Sequence, residues 1–489
     1  MKRTLLLLAV LITWGCGAQR SPVLAPTPVA AYVSPVAQLQ DDLSTIFNAP
    51  QFEQAFWSVL VRSADSGENL FAINPAKLMM PGSTMKIVTA AAAAEVLGWQ
   101  HQFETTVVTT APMANGILHG DLVVVGGGDP SISERSDVPG TLRALAGQLH
   151  SAGITRVEGG IVGDDDLLDD RGFGDGWTLD NLPYGYSAPV SALQYNEGSV
   201  DLVVRAGAAA GDPVTVDVRP EGSGLQIDNH LVTVAASGSG VLTLHRQPGS
   251  SRLRIEGQIP ANAAPFARTA SVDNPTRFFV TALRHALEAD GIKVIGDAID
   301  IDDFATKPDL SGARLLASHK SPPLLTLVTA MMKVSQNQYA EMLLKSAGGR
   351  TRAREVLKSW NIADGGYVIA DGSGLSRYNY ITSENLVRVL QVMRSDEKHA
   401  REFATVLPVA GRDGALVKRL AGTAADGKVR AKTGTVDNVR AIAGYIEAAD
   451  GTTLVFSIIA NNFTGPAGAI DAAADKALVR LAMFSAQQR

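Results

Sequence analysis

Short apolar runs separated by turns give way, early in the patterned chain, to one long apolar helix. Residues 56–61 (Phe56-Trp57-Ser58-Val59-Leu60-Val61) and 70–73 (Leu70-Phe71-Ala72-Ile73) flank a turn at Asp65-Ser66-Gly67-Glu68, which predicts a β-hairpin. Downstream, Pro81-Gly82-Ser83-Thr84-Met85-Lys86 runs into Ile87-Val88-Thr89 and an alanine run over 90–94, the pattern of a tight turn opening an apolar helix. Beyond about residue 105 the texture is β-rich and punctuated by glycine, as in Thr105-Thr106-Val107-Val108 and the stretch 120–129. Two helical stretches, 142–149 and 278–287, are each followed by Gly-Ile and a short strand. They read as two helix–Gly–strand units of one α/β insertion, too weakly alike to be a repeat. Short strands over 214–255 suggest a smaller domain nested between them. From about residue 309 the pattern is helical again, over 324–333, 338–345 and from 383, and the chain closes with strands over 429–435, 441–447 and 453–460 and a helix over 470–484. Strands from both ends of the chain predict a single antiparallel sheet, with the middle inserted.

Length and composition fit this plan. The 489 residues are 46% hydrophobic, enough for two or three domains with real cores. A net charge of −6 gives no electrostatic footprint for nucleic acid. Lys2-Arg3, the apolar run 5–12 and the small residues Gly15-Cys16-Gly17-Ala18 have the form of an export signal over residues 1–18, too short for a permanent span. The expected location is the periplasm or cell envelope. Cys16 is the only cysteine, so no intramolecular disulfide can form. It stands where a lipoprotein signal would place its lipidated cysteine, although Thr13 departs from that pattern, and cleavage after Ala18 is the competing reading. A lipid anchor at Cys16 would be the chain's one link to a membrane. Pro22, Pro26, Pro28 and Pro35 mark residues 19–39 as an extended tether.

The chemistry concentrates in three short motifs. In Ser83-x-x-Lys86 the two residues share a helix face, and an amine kept neutral by burial or by a second cation can take the serine proton. A Ser-x-x-Lys is expected by chance about once in such a chain; the second copy, Ser395 to Lys398, reads as a solvated helix end. Ser335-Gln336-Asn337 lies between two helices, and Lys432-Thr433-Gly434-Thr435 lies on a strand followed by a hairpin. Ser383-Glu384-Asn385 also fits Ser-x-Asn, but Ser383 reads as a helix N-cap. In the loop Asp371-Gly372-Ser373-Gly374-Leu375-Ser376, Asp371 and Ser373 read as loop-shaping. Asp164-Asp165-Asp166 with Asp169-Asp170 lacks calcium-loop spacing and reads as a solvated loop. The eight histidines show no ligand pairing, and Gly126-Gly127-Gly128 supplies no phosphate loop, so neither metal nor cofactor is expected.

Together, in these contexts, the three motifs resemble those of the penicillin-binding proteins and serine β-lactamases. The long gap between Lys86 and Ser335, with Gly126 to Pro130, Tyr186 to Leu193 with Asn196, and Asp371 to Ser376, narrows the resemblance to the D-alanyl-D-alanine carboxypeptidase/endopeptidase family of the penicillin-binding protein 4 (DacB) type, peptidase family S13, over residues 40–485. That resemblance implies an α/β (α+β) fold: a transpeptidase-like catalytic domain over 40–104 and 309–489, with an antiparallel sheet between helices, and an insertion over 105–308. It implies that Ser83 attacks the D-Ala-D-Ala bond of peptidoglycan stem peptides, that Lys86 is the base and that Ser335 relays a proton to the leaving amine. Asn337, Lys432, Thr433, Gly434 and Thr435 would bind substrate, with the backbone N–H groups of Ser83 and Thr435 as oxyanion hole, and β-lactams would acylate Ser83. Trp177 and Asp180 would reach a cationic stem-peptide side chain, or else are a buried aromatic and a turn residue. A β-lactamase and a non-catalytic peptidoglycan-binding protein are the competing readings. The long insertion and the absence of a clear deacylating glutamate disfavour the first, and the intact motif residues disfavour the second.

Overall fold

The computed structural model describes residues 34–135 and 140–486, together with 9–11 and 15. Cys16, Ala18 and the tether residues 19–33 lie outside the described residues. Everything below concerns the compact unit Pro35–Arg489.

One five-stranded antiparallel sheet joins the two ends of the chain, in the order Asn69–Ile73, Phe56–Ser63, Thr453–Asn461, Val439–Glu447, Val429–Val436. Its central strands are apolar almost continuously because helices cover both faces. On one face the terminal helices Pro35–Phe47 and Ala467–Ala482 pack Leu39, Leu43, Leu478 and Leu481 against Val59, Ile442 and Phe456. The helix Pro35–Phe47 begins inside the expected tether. Proline is compatible with the start of a helix, where its missing N–H costs nothing, and the apolar Leu39-Leu43-Phe47 stripe finds the sheet.

On the other face the helix Met85–Leu97 is buried along Met85–Ala94 and surrounded by helices Leu324–Val334, Asn337–Ser346, Gly349–Ser359 and Ser383–Ser395. Its alanine run lets four neighbours approach closely, which is why it is apolar all round. Ser383 is not the N-cap of its helix. Thr382 caps it, its hydroxyl accepting from the Asn385 N–H at 3.0 Å, while Ser383 is buried and its hydroxyl bonds those of Ser58 (2.7 Å) and Ser457 (3.2 Å) on the sheet.

The middle of the chain has its own core. The two helix–Gly–strand units lie side by side. Helices Thr141–Ser151 and Pro275–Ala289 pack together, Arg156–Val157 runs parallel to Lys293–Val294, and Ile161–Asp164 parallel to Ala298–Asp300. The latter pair belongs to a five-stranded sheet completed by Leu122–Val125, Glu104–Thr109 and Arg314–Lys320. The chain is therefore not helical from 309. Arg314–Lys320 returns as an edge strand antiparallel to Glu104–Thr109 before the helices resume. Between the units lie two three-stranded sheets, one of them built from Gln226–Val234, Val241–His245 and Arg252–Pro260.

Candidate active site

Ser83 sits in a 3₁₀ turn, Gly82–Thr84, that feeds directly into Met85–Leu97, so Lys86 occupies the first turn of the buried helix. The turn abuts the edge strand Val429–Val436. Gly82 has a φ of +52°, and a Cβ there would stand 3.0 Å from the Thr435 nitrogen; a Cβ on Gly434 would stand 2.4 Å from the Pro81 carbonyl oxygen and 3.1 Å from the Ser83 nitrogen. The two glycines thus bring the backbone nitrogens of Ser83 and Thr435 to one small region. Gly434→Val should push the strand off the turn and, by displacing reacting groups by about 1 Å, slow acylation of Ser83 roughly 100-fold. Stopped-flow acylation with a chromogenic β-lactam would measure it.

Lys86 is fully buried, and its amine reaches three oxygens: Ser83 Oγ (2.9 Å), Asn337 Oδ1 (2.7 Å) and the Ser373 carbonyl (2.7 Å). Burial lowers its pKa to about 7, against the opposing pull of the Asp371 and Glu341 carboxylates. Near neutrality the amine therefore exists in part as a free base beside the serine hydroxyl. Lys432, also fully buried, donates to Ser335 Oγ (2.9 Å) and the Thr433 carbonyl (2.8 Å). Burial, and then the nearby Lys86, hold its pKa well below the usual lysine value. The second-cation effect expected from sequence acts on Lys432 only, and there as the lesser cause, whereas Lys86 is lowered by desolvation.

Ser335 ends the helix Leu324–Val334 with φ +64°, a left-handed conformation unusual for serine, and Asn337 opens the next helix. A non-glycine residue held there costs on the order of 1–3 kcal/mol, and here the sharp reversal turns Ser335 toward Lys432 and Asn337 toward Lys86. The Asn337 amide also donates to the Tyr186 carbonyl at 2.8 Å, tying the middle of the chain to the site.

A cleft of about 430 Å³ is lined by Ser83, Ser335, Asn337, Thr433 and Thr435, with Asn181, Tyr186, Leu375, Asp437 and Arg440. All three motifs meet at this cleft. Trp177 and Asp180 are not among its lining residues. The Trp177 indole donates to Asp371 Oδ2 at 2.9 Å, and Asp180 is solvent-exposed, next in sequence to the cleft residue Asn181. Asp371 also accepts from the Gly374 and Ser376 N–H groups and the Asn379 amide, which accounts for the loop's shape.

Sequence reasoning missed Tyr186, Asn181, Arg440 and Glu341. Tyr186 stands in one of the recognised stretches and was open to discovery there. Glu341, one helical turn beyond Asn337, carries no motif signal; only an acidic residue on an otherwise buried helix face hinted at it. Its carboxyl is buried, and that burial, with the neighbouring Asp371, pushes its pKa up to about 7. Away from the cleft, the carboxylates of Asp165, Asp300 and Asp302, and of Asp166, Asp170 and Asp302, approach one another, with Lys307 paired to Asp166 and Asp302 at 2.6 Å each.

The family model of the D-Ala-D-Ala carboxypeptidase 3 (S13) family matches residues 39–483, nearly the whole described unit. The chain belongs to this family. It is 35% identical over 491 residues to the D-alanyl-D-alanine carboxypeptidase of Actinomadura sp. (strain R39), covering 96% of this chain and 88% of that one. It is 27% identical over 450 residues to the D-alanyl-D-alanine carboxypeptidase DacB of Haemophilus influenzae, covering 86% and 91%. Among solved structures, penicillin-binding protein 4 (DacB) from Haemophilus influenzae superposes with a TM-score of 0.79 at 26% identity, covering 91% of this chain and 98% of that one. The same protein complexed with a β-lactam superposes with a TM-score of 0.73. Family membership agrees with the resemblance carried by the three motifs, and the penicillin-binding fold agrees with the α/β architecture expected from sequence.

Proposed function

We propose that the chain is a serine D-Ala-D-Ala carboxypeptidase and DD-endopeptidase that cleaves peptidoglycan stem peptides and cross-links through an acyl-enzyme on Ser83. The single observation that carries the mechanism is the contact between the buried Lys86 amine and Ser83 Oγ at 2.9 Å. Lys86 in its free-base form takes the Ser83 proton as Oγ bonds to the carbonyl carbon of the D-Ala-D-Ala peptide bond. The oxyanion develops toward the backbone nitrogens of Ser83 and Thr435, donors of a kind worth about 2.7–4 kcal/mol each. The C–N bond then breaks, and the leaving amine takes a proton relayed through the Ser335 hydroxyl, which Lys432 holds at 2.9 Å; the relay passes on the proton that Lys86 took from Ser83 and leaves Lys86 a free base. Lys86, a free base again, takes a proton from water as that water attacks the ester carbonyl, and Ser83 Oγ leaves with that proton, which restores the enzyme.

The terminal carboxylate of the substrate would lie near Lys432, Thr433 and Thr435. An anion there favours the ammonium form and opposes the lowering that burial imposes on Lys432. Asn337 would hold the substrate amide while steadying Lys86. Asp180, exposed beside the cleft, is the candidate partner for a cationic stem-peptide side chain, whereas Trp177 acts by holding Asp371. Because the substrate lies outside the cytoplasm, the export signal at residues 1–18 belongs with this reading. Among the described residues no helix is long and apolar enough to cross a membrane.

Intact-mass analysis with benzylpenicillin, alongside release of D-Ala from a peptide ending in D-Ala-D-Ala and from cross-linked muropeptides, tests the reading. A persistent adduct with peptide cleavage is expected. Drug consumption without an adduct would instead make the protein a β-lactamase, and neither event would leave a binding protein.

A further inference from the structure

Behind Lys86, on the side away from the cleft, a buried glutamate grips the loop that supplies one of the amine's three partners. Glu341 is 6% exposed, and its two carboxylate oxygens each accept one backbone N–H, from Ser373 at 2.8 Å and Gly372 at 3.0 Å. The carbonyls of the same two residues are also engaged. That of Gly372 accepts from the Thr89 hydroxyl at 2.7 Å, and that of Ser373 accepts from Lys86 Nζ at 2.7 Å. Every backbone polar group of this two-residue segment is thus committed, with its acceptors for N–H coming from Glu341 alone. Asn337, one turn earlier on the same helix, meets Lys86 directly.

We propose that Glu341 is a positioning residue for the Lys86 base, its carboxylate fixing the Gly372-Ser373 backbone so that the Ser373 carbonyl aims the amine at Ser83. The proposal rests on the reading of Lys86 as the base that activates Ser83. A glutamine cannot substitute, since its amide has one acceptor oxygen and its NH₂ would face one of the two backbone N–H donors. A protonated carboxyl has the same defect. The titratable groups acting with Glu341 are Lys86, from the helix Met85–Leu97, and Asp371, from the loop itself. Lys86 and Glu341 both titrate near pH 7, and both must be deprotonated for a competent site, so the acid limb of the wild-type acylation profile should be steeper than one proton.

The test is the rate of Ser83 acylation by a chromogenic β-lactam across pH 5–9 for full-length wild type, Glu341→Gln and Glu341→Asp, with circular dichroism to verify folding. For Glu341→Gln the expected result is a plateau lowered roughly 10- to 100-fold, of the order seen when reacting groups are slightly misplaced. Its acid limb should have single-proton slope and be displaced to lower pH, because the negative charge that favours protonated Lys86 is gone. A merely structural role would lower stability or plateau without altering the limb, and that outcome overturns the proposal. Should Glu341→Gln not fold, Glu341→Asp decides, since it keeps the charge but withdraws it by one methylene. A lowered plateau with the limb displaced from that of wild type supports the positioning role, and an unaltered limb or a wild-type plateau overturns it. If wild type itself forms no adduct, the failure lies with the reading of Ser83 and Lys86 rather than with Glu341.

Discussion

Replacing Ser83 with alanine is expected to abolish the benzylpenicillin adduct and to cut D-Ala release by at least about 10⁴-fold, since removal of a nucleophile leaves only the binding and oxyanion contributions. The fold should survive. Ser83 lies in a short turn whose geometry is set by Gly82, by the Thr84 hydroxyl donating to the Pro81 carbonyl at 2.7 Å, and by the adjoining strand, none of which involves Ser83 Oγ. Intact-mass analysis and a peptide assay on the same preparation read the outcome. An adduct persisting on Ser83→Ala would place the nucleophile elsewhere and remove the basis of the mechanism.

The second large effect belongs to Lys86. Lys86→Met keeps most of the side-chain volume but removes the donor to Ser83 Oγ, Asn337 Oδ1 and the Ser373 carbonyl. Loss of a general base costs about 10²–10⁴-fold, and here the upper end is expected because the amine also orders its surroundings. The pH dependence should distinguish chemistry from disorder. With a pKa lowered to about 7, the active free base accumulates as pH rises through 7. Wild-type acylation should therefore climb through pH 7 and level above it, falling at least about tenfold per unit well below. In Lys86→Met that limb should vanish, leaving a slow and nearly flat profile. A retained limb centred near 7 would assign the titration to another group. Combining Lys86→Met with Ser83→Ala should add little to the loss from Ser83→Ala alone, as groups that act in one step are strongly non-additive.

How far these residues could be read without coordinates depended on whether their signal was local. Ser83 and Lys86 are three residues apart, on a 3₁₀ turn and the first turn of the helix it feeds, so their proximity follows from helical geometry. The sheet strands were legible because both faces are covered, which makes their apolar runs nearly continuous. The helix Pro35–Phe47 was obscured by the prolines before it, and the edge strand Arg314–Lys320 carries only the short apolar run Leu315-Leu316-Ala317 between polar residues, too little to mark it. Thr382 and Ser383 are adjacent and both fit a cap; only the burial of Ser383 against Ser58 and Ser457 separates the roles.

By itself the sequence determined the chemical inventory, namely a serine with a lysine one turn away, a Ser-x-Asn between helices, a Lys-Thr-Gly on a strand, and a sheet closed by both chain ends. Tertiary structure decided what those groups become. Burial is the main cause that lowers the pKa of both lysines, and burial is a property of the assembled core. The approach of Gly434 to the Ser83 turn, the turning of Trp177 onto Asp371, and the grip of Glu341 on the Lys86 loop join residues far apart in sequence. No spacing rule encodes such contacts, because their distances are set by how sheet, helices and insertion pack.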